Sequence, residues 1–195
     1  MVKGLDTFRN YFADYEEQYV LIGGAACDII FESNDATFRA TRDLDMVLIV
    51  EALTPEFGER FWKFIQNGRY RNKTTSVQKP QFYRFDKPED DTYPKMIELF
   101  CRNNFELRKM TGITPIHIDD SVSSLSAILL DDEYYKALLE GKVVRNGLSV
   151  LRPEYLILFK AKAYLDLKQM KEKGEAVDSS DIKTVSYTHL TLPTT

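Results

Sequence analysis

The sequence predicts a small mixed α/β sheet with flanking helices, followed by a helical C-terminal part. Three observations predict it. Short β-rich runs alternate with segments of helical period over residues 1–150. One run, LDMVLIV at 44–50, is apolar on both faces, as a strand covered on both sides would be. From Leu151 onward one long helical pattern replaces the strand-like runs.

Taken in order, GLDTFRNYFADYEEQ sets Leu5, Phe8, Tyr11, Phe12 and Tyr15 at helical spacing. YVLIGG is a β-rich run ended by Gly23 and Gly24, and AACDIIFES reads as a helix. In LDMVLIV, Asp45, Val47 and Ile49 point to one face, and Leu44, Met46, Leu48 and Val50 to the other. TPEFGERFWKFIQNG is a helix with Thr54 as N-cap, Pro55 in the first turn and Gly68 past its end. RYRNKTT, QFYRFDK and KMIELFCR read as three strands, the last the most buried. LSAILLDDEYYKALLEGKVV joins a strand or loop to a helix around Glu133 to Leu139, and NGLSVLRP is a turn and a short strand. A long helix runs between Pro153 and Gly174, and DSSDIK opens another. Tyr11, Phe12, Phe61 and Trp62 read as core.

The 195 residues are 44% hydrophobic and 29% charged, which suits one globular domain with a small helical appendage. No apolar run approaches the roughly 18–20 residues of a membrane span, and MVKGLDTFRN has no signal-peptide core, so no membrane partner is expected. Cys27 and Cys101 give neither a disulfide framework nor metal-ligand spacing, and a reduced, cytoplasmic setting is expected. The net charge of −4 argues against bulk electrostatic binding of nucleic acid but leaves room for a local basic patch. VSYTHLTLPTT at 185–195 breaks in composition from the lysine-rich stretch before it and resembles translated transposon-adapter DNA. It is set aside as a non-native tail, with residues 151–184 as a truncated helical part. His117 is then the one remaining histidine, which disfavours histidine-based zinc sites and Ser-His triads. Lying between isoleucines, His117 reads as structural.

Chemistry concentrates in three places. Asp43 and Asp45 stand two apart on a strand, so they project side by side, close enough to share a cation. Unpaired, such neighbours repel, and one carboxyl is driven to keep its proton. The plainer alternative is that Arg42 neutralises Asp43 at a solvated strand end. Glu98, in MIELF, has only apolar neighbours, and a buried carboxylate needs a partner. Either Arg84 or Arg102 pairs with it, or its strand lies beside LDMVLIV and it becomes a third acid beside the aspartates. Three such oxygen donors suit Mg²⁺. Gly23 and Gly24 end a strand and open a helix, where bare backbone and a helix N-terminus favour an anion such as phosphate. A tight turn needing positive φ is the simpler explanation. Neither a P-loop nor a Rossmann glycine pattern is present.

LIGG at 21–24, DLD at 43–45 and Glu98 follow one another in the order hG[GS], [DE]h[DE] and a third acid on a downstream strand. That order resembles the nucleotidyltransferase superfamily. RATRDLDMVL and LFKAKAYLDLKQMKEKGEAVDSSDIK are similar to its AbiEii/AbiGii toxin-like branch, where an Arg and a Thr or Ser precede the acids. Glu98 departs from the more usual Asp. The resemblance implies a nucleotidyltransferase-like fold and transfer of a nucleoside monophosphate from a nucleoside triphosphate, GTP or ATP not being resolved. The acceptor would be tRNA or other RNA, a protein or a small molecule. It implies that Asp43, Asp45 and Glu98 are catalytic and hold Mg²⁺, with Gly23, Gly24, Arg42 and Lys160 at the nucleotide. It further implies the toxin of a toxin–antitoxin or phage-defence pair, with a cognate antitoxin as partner. Lys160 lies one position off the stripe Leu156, Phe159, Ala163, Leu167 and Met170, and is otherwise a snorkelling lysine. Asp181 is a candidate polar site residue, although Asp178 and Asp181 also suit a helix cap. The alternative function is a nucleotide-binding regulatory or interaction domain without catalysis.

Overall fold

The computed structural model describes residues 2–32, 43–49, 51–72, 83–101 and 132–174. Within them the chain forms a mixed α/β sheet flanked by helices. The elements are α1 (Leu5–Phe12), β1 (Tyr19–Ile22), α2 (Gly23–Glu32), β2 (Asp43–Leu48), α3 (Pro55–Asn67), β3 (Arg71–Asn72), β4 (Tyr83–Asp86), β5 (Met96–Phe100), α4 (Asp132–Gly141), β6 (Lys142–Arg145), β7 (Leu148–Leu151) and α5 (Pro153–Glu172). The strands make one seven-stranded sheet in the order β3-β4-β5-β2-β1-β7-β6. Pairs β1–β7 and β2–β5 are parallel; the other four are antiparallel.

Cross-strand partners share a face of the sheet, so the registers sort the side chains. One face carries Tyr19, Leu21, Leu44, Met46, Phe85, Ile97, Leu99, Leu148 and Val150. It meets an aromatic layer from α1 and α3. Phe8 lies edge-on to Tyr19 at 5.5 Å, Phe61 edge-on to Phe85 at 5.5 Å, and Phe12 sits 5.4 Å from Phe64. Phe8, Phe12 and Phe64 are wholly buried, and each such side chain contributes about 1.5–3 kcal/mol through apolar burial. The other face carries Ile22, Asp43, Asp45, Val47, Arg84, Met96, Glu98 and Phe100. Helix α2 packs on β1, β2 and β7 and touches α5.

The helix ends follow their signals. The Thr54 hydroxyl accepts the Phe57 N–H at 3.3 Å, Pro55 occupies the first turn, and the Gly68 N–H donates to the Phe64 carbonyl at 3.0 Å. Pro153 opens α5, and Gly174, at φ +78°, follows its end. Asn146 and Gly147, at φ +51° and +70°, close the two-residue hairpin between β6 and β7.

Three expectations need adjustment. Tyr15 is not on α1: the helix stops at Phe12, Ala13 is extended and Asp14 takes φ +73°. Its spacing looked helical because Tyr15 still reaches the same core, 5.8 Å from Phe57. Helix α2 starts at Gly23 itself, so the glycines form its first turn. The run KVVR after α4 is a strand, β6. Among the described residues, no helix is long and apolar enough to cross a membrane.

Candidate active site

Strand β2 delivers the two aspartates. Leu44, Met46 and Leu48 are buried against the aromatic layer, so the alternate positions must face the other way. Asp43 is exposed at the strand start and Asp45 is half-buried one step further in. Strand β5 works identically: Ile97 and Leu99 are buried on the aromatic side, which sends Glu98 to the face of the aspartates. The parallel register pairs Asp45 with Glu98, and the antiparallel registers add Ile22 and Arg84. Arg84, Glu98, Asp45 and Ile22 thus form one row across four neighbouring strands. The adjoining row is Asp86, Met96 and Asp43. Neighbouring strands lie about 4.8 Å apart, so Asp45 and Glu98 are in direct reach of each other.

The charges in this row interact strongly. Arg84 pairs with Glu98, its Nε and Nη2 both on Oε1. Glu98 keeps 14% of its side-chain surface and Arg84 38%. The Asp45 carboxyl is pushed from its ordinary 3.8 up to about 8. Burial is the first cause, the negative charges of Glu98 and Asp43 come next, and a hydrogen bond with Glu98 adds to them. Lys160, half-buried on α5, pulls in the opposite direction. Lys160 also draws the Cys27 thiol down against the dominant upward effect of burial.

Gly23 closes the site from the β1 side. It takes φ +63°, and a Cβ added there would collide with Oδ2 of Asp45. Only glycine lets the first turn of α2 come this close to the carboxyl. The helix begins at this point with no acid in its first turn, so its N-terminal amides add partial positive charge beside Asp45. Gly24 follows in the same turn, half-buried.

The structure therefore gathers Asp43, Asp45, Glu98, Gly23, Gly24 and Lys160 around one end of β2. Arg42, Arg102, His117, Asp178, Asp181 and the 185–195 tail lie outside the described residues. Arg84 belongs with the gathered group, although the sequence offered it only as one of two partners for Glu98. The alternation in YRFD sets Arg84 and Asp86 on one face, but nothing local gives the register that aligns them with Glu98 and Asp43.

A hard divalent cation fits the two aspartates. Both offer carboxylate oxygens, they share a strand face, and crowding that forces a proton onto Asp45 is what a cation would relieve. The fit does not extend evenly to Glu98, whose Oε1 the Arg84 guanidinium already holds. Among the described residues, no three His, Cys, Asp or Glu side chains close on one point as ligands to a single ion.

No protein-family model matches the chain, and no curated protein matches it. One solved structure that it resembles is that of an antigenic nucleotidyltransferase-like protein from Paracoccidioides brasiliensis, at 15% identity and a TM-score of 0.43, covering 96% of this chain and 74% of that one. At that identity and superposition, the likeness is no guide to what this chain binds or does.

Proposed function

We propose that the chain is a Mg²⁺-dependent nucleotidyltransferase that moves a nucleoside monophosphate from a nucleoside triphosphate to an acceptor. One observation carries the reading: Asp45 sits beside Glu98 in register and against the Gly23 corner where α2 begins. Asp43 and Asp45 hold the ion, and Glu98 completes the acidic row. Bound Mg²⁺ supplies charge neutralisation for the transferring phosphoryl group and its leaving pyrophosphate. Gly23 and Gly24 present backbone amides to phosphate oxygens, and Lys160 adds a positive charge from α5. A cation held there would offset the negative charges that crowd Asp45.

The acceptor class is RNA such as tRNA, a protein side chain or a small molecule. Lys160, Lys162, Lys168, Lys171 and Lys173 give α5 and its end a basic character that suits RNA. The likeness of RATRDLDMVL and LFKAKAYLDLKQMKEKGEAVDSSDIK to the AbiEii/AbiGii branch supports a toxin role within a toxin–antitoxin or phage-defence pair, with a cognate antitoxin as partner. Incubation with each labelled nucleoside triphosphate, Mg²⁺ and total RNA tests the reading. Label transfer that disappears in Asp43→Asn and Asp45→Asn supports it; equal transfer by all three proteins overturns it.

The Arg84–Glu98 pair favours a second reading, nucleotide binding without transfer, because it withdraws one acid from metal chemistry. Mg²⁺-dependent binding of GTP or ATP without pyrophosphate release would distinguish it.

A further inference from the structure

Resting on the transferase reading of this site, we propose that Arg84 is its fixed cation. Arg84 binds the polyphosphate of the substrate, and Glu98 is the carboxylate that positions Arg84 rather than a third ligand to the metal.

The geometry points there in four steps. Arg84 and Glu98 are direct cross-strand partners on the face that carries Asp43 and Asp45. The guanidinium uses Nε and Nη2 on a single oxygen of Glu98, which leaves Nη1 without a protein partner among the described residues. Of the pair, Arg84 is the more exposed, at 38% against 14%, so the arginine and not the glutamate meets an arriving ligand. Finally, β4 stands two strands from β2 in the sheet order, a span of about 10 Å. By folding back over β5 onto Glu98, the arginine carries its charge toward the aspartates.

The result is an anion cradle with two positive flanks. On the β1 side lie the N-terminus of α2 at Gly23 and the Lys160 ammonium. On the β4 side lies Arg84. Asp43 and Asp45, which would hold the ion, lie between these flanks, and Arg84 would offer its charge to phosphate oxygens from the β4 side. The Arg84 pair already neutralises the charge of Glu98 and holds its Oε1, so Glu98 attracts a metal ion less strongly than a carboxylate without such a pair would. Arginine suits the task because its planar fork can hold one carboxylate and still offer donors to a phosphate oxygen.

Two sets of titrations separate this proposal from the reading beneath it. In EDTA, inorganic tripolyphosphate is titrated calorimetrically into the wild type, Arg84→Gln and Arg84→Lys, below the unfolding temperature of each. The expected result is an affinity lower by roughly tenfold or more in Arg84→Gln, and an intermediate loss in Arg84→Lys, which keeps the charge but not the fork. Unchanged affinity in a folded Arg84→Gln overturns the proposal. Mn²⁺ binding, followed by electron paramagnetic resonance, is then compared in the wild type, Asp45→Asn and Glu98→Gln. Glu98→Gln is expected to stay within about fivefold of the wild type while Asp45→Asn loses considerably more, since only one of them removes a ligand. Equal losses make Glu98 a metal ligand and also overturn the proposal. Undiminished Mn²⁺ binding in Asp45→Asn counts against the metal-site reading instead, and the EDTA arm decides Arg84 without it.

Discussion

Replacing Asp45 with Asn should make the metal-free protein more stable, and increasingly so as the pH rises. The wild-type carboxyl holds its proton up to about pH 8 in the folded chain, against an ordinary 3.8. Below pH 4 both folded and unfolded chains are protonated at this position, and the group is neutral to stability. Between pH 4 and 8 the unfolded chain has lost the proton and the folded chain keeps it, so the folded state binds more protons and stability falls with pH. One proton corresponds to a slope of about 1.4 kcal/mol per pH unit, and the whole interval to a ceiling of about 5–6 kcal/mol. Asp45 retains some contact with solvent, and Lys160 can reorient toward the new charge, so an effect of about 3 kcal/mol is expected. Urea unfolding of wild type and Asp45→Asn in EDTA at pH 5, 6.5 and 8 measures it. The gap should widen with pH, and Mg²⁺ at pH 8 should narrow it by stabilising the wild type alone. A gap that stays constant from pH 5 to 8 would mean that the Asp45 proton is not held, and the electrostatic account of the row would be wrong.

Gly23→Ala forces a side chain into φ +63° and onto the Asp45 carboxylate. A loss of about 2–4 kcal/mol is expected by urea unfolding, with weaker Mn²⁺ binding in the protein that remains folded. Phe64→Ala removes a wholly buried ring that touches Phe8, Phe12, Tyr11 and Tyr93, and should cost about 3–5 kcal/mol in the same assay without altering Mn²⁺ affinity. Thr54→Ala removes the hydroxyl that accepts the Phe57 N–H, for a loss of about 1 kcal/mol, and a shift in thermal midpoint of a few degrees should report it.

The residues differ in how much of their role the sequence exposes. Thr54, Pro55 and Gly68 mark α3 because caps are local: the groups that satisfy each other lie within four residues. Asn146–Gly147 marks a hairpin for the same reason, as the turn requires two residues at positive φ. Tyr15 misleads because spacing reports which side chains reach the core, not whether the backbone between them is still helical. Arg84 is hidden for a different cause. Its alignment with Glu98 and Asp45 depends on β4, β5 and β2 being neighbours, and β2 ends at Leu48 while β5 begins at Met96, with α3, β3 and β4 between them. Pairing over that distance is settled by the whole sheet.

The apolar residues nevertheless fix the acidic row indirectly. A strand slipped by one residue turns every side chain to the opposite face. In β5 such a slip would drive Glu98 into the layer of Phe61 and Phe85 and expel Ile97 and Leu99, which are 0% and 2% exposed. In β2 it would do the same to Asp45, with Leu44 and Met46, both wholly buried, expelled. Burying an unpaired carboxylate costs several kcal/mol, and exposing each aliphatic side chain loses about 1.5–3 kcal/mol more. Both penalties act in the same direction on both strands. The register that brings Asp45 and Glu98 together is thus enforced from the far side of the sheet, by side chains that never touch a ligand. The cost of burying Asp45 beside Glu98 is tolerated because the aromatic layer on the other face outweighs it.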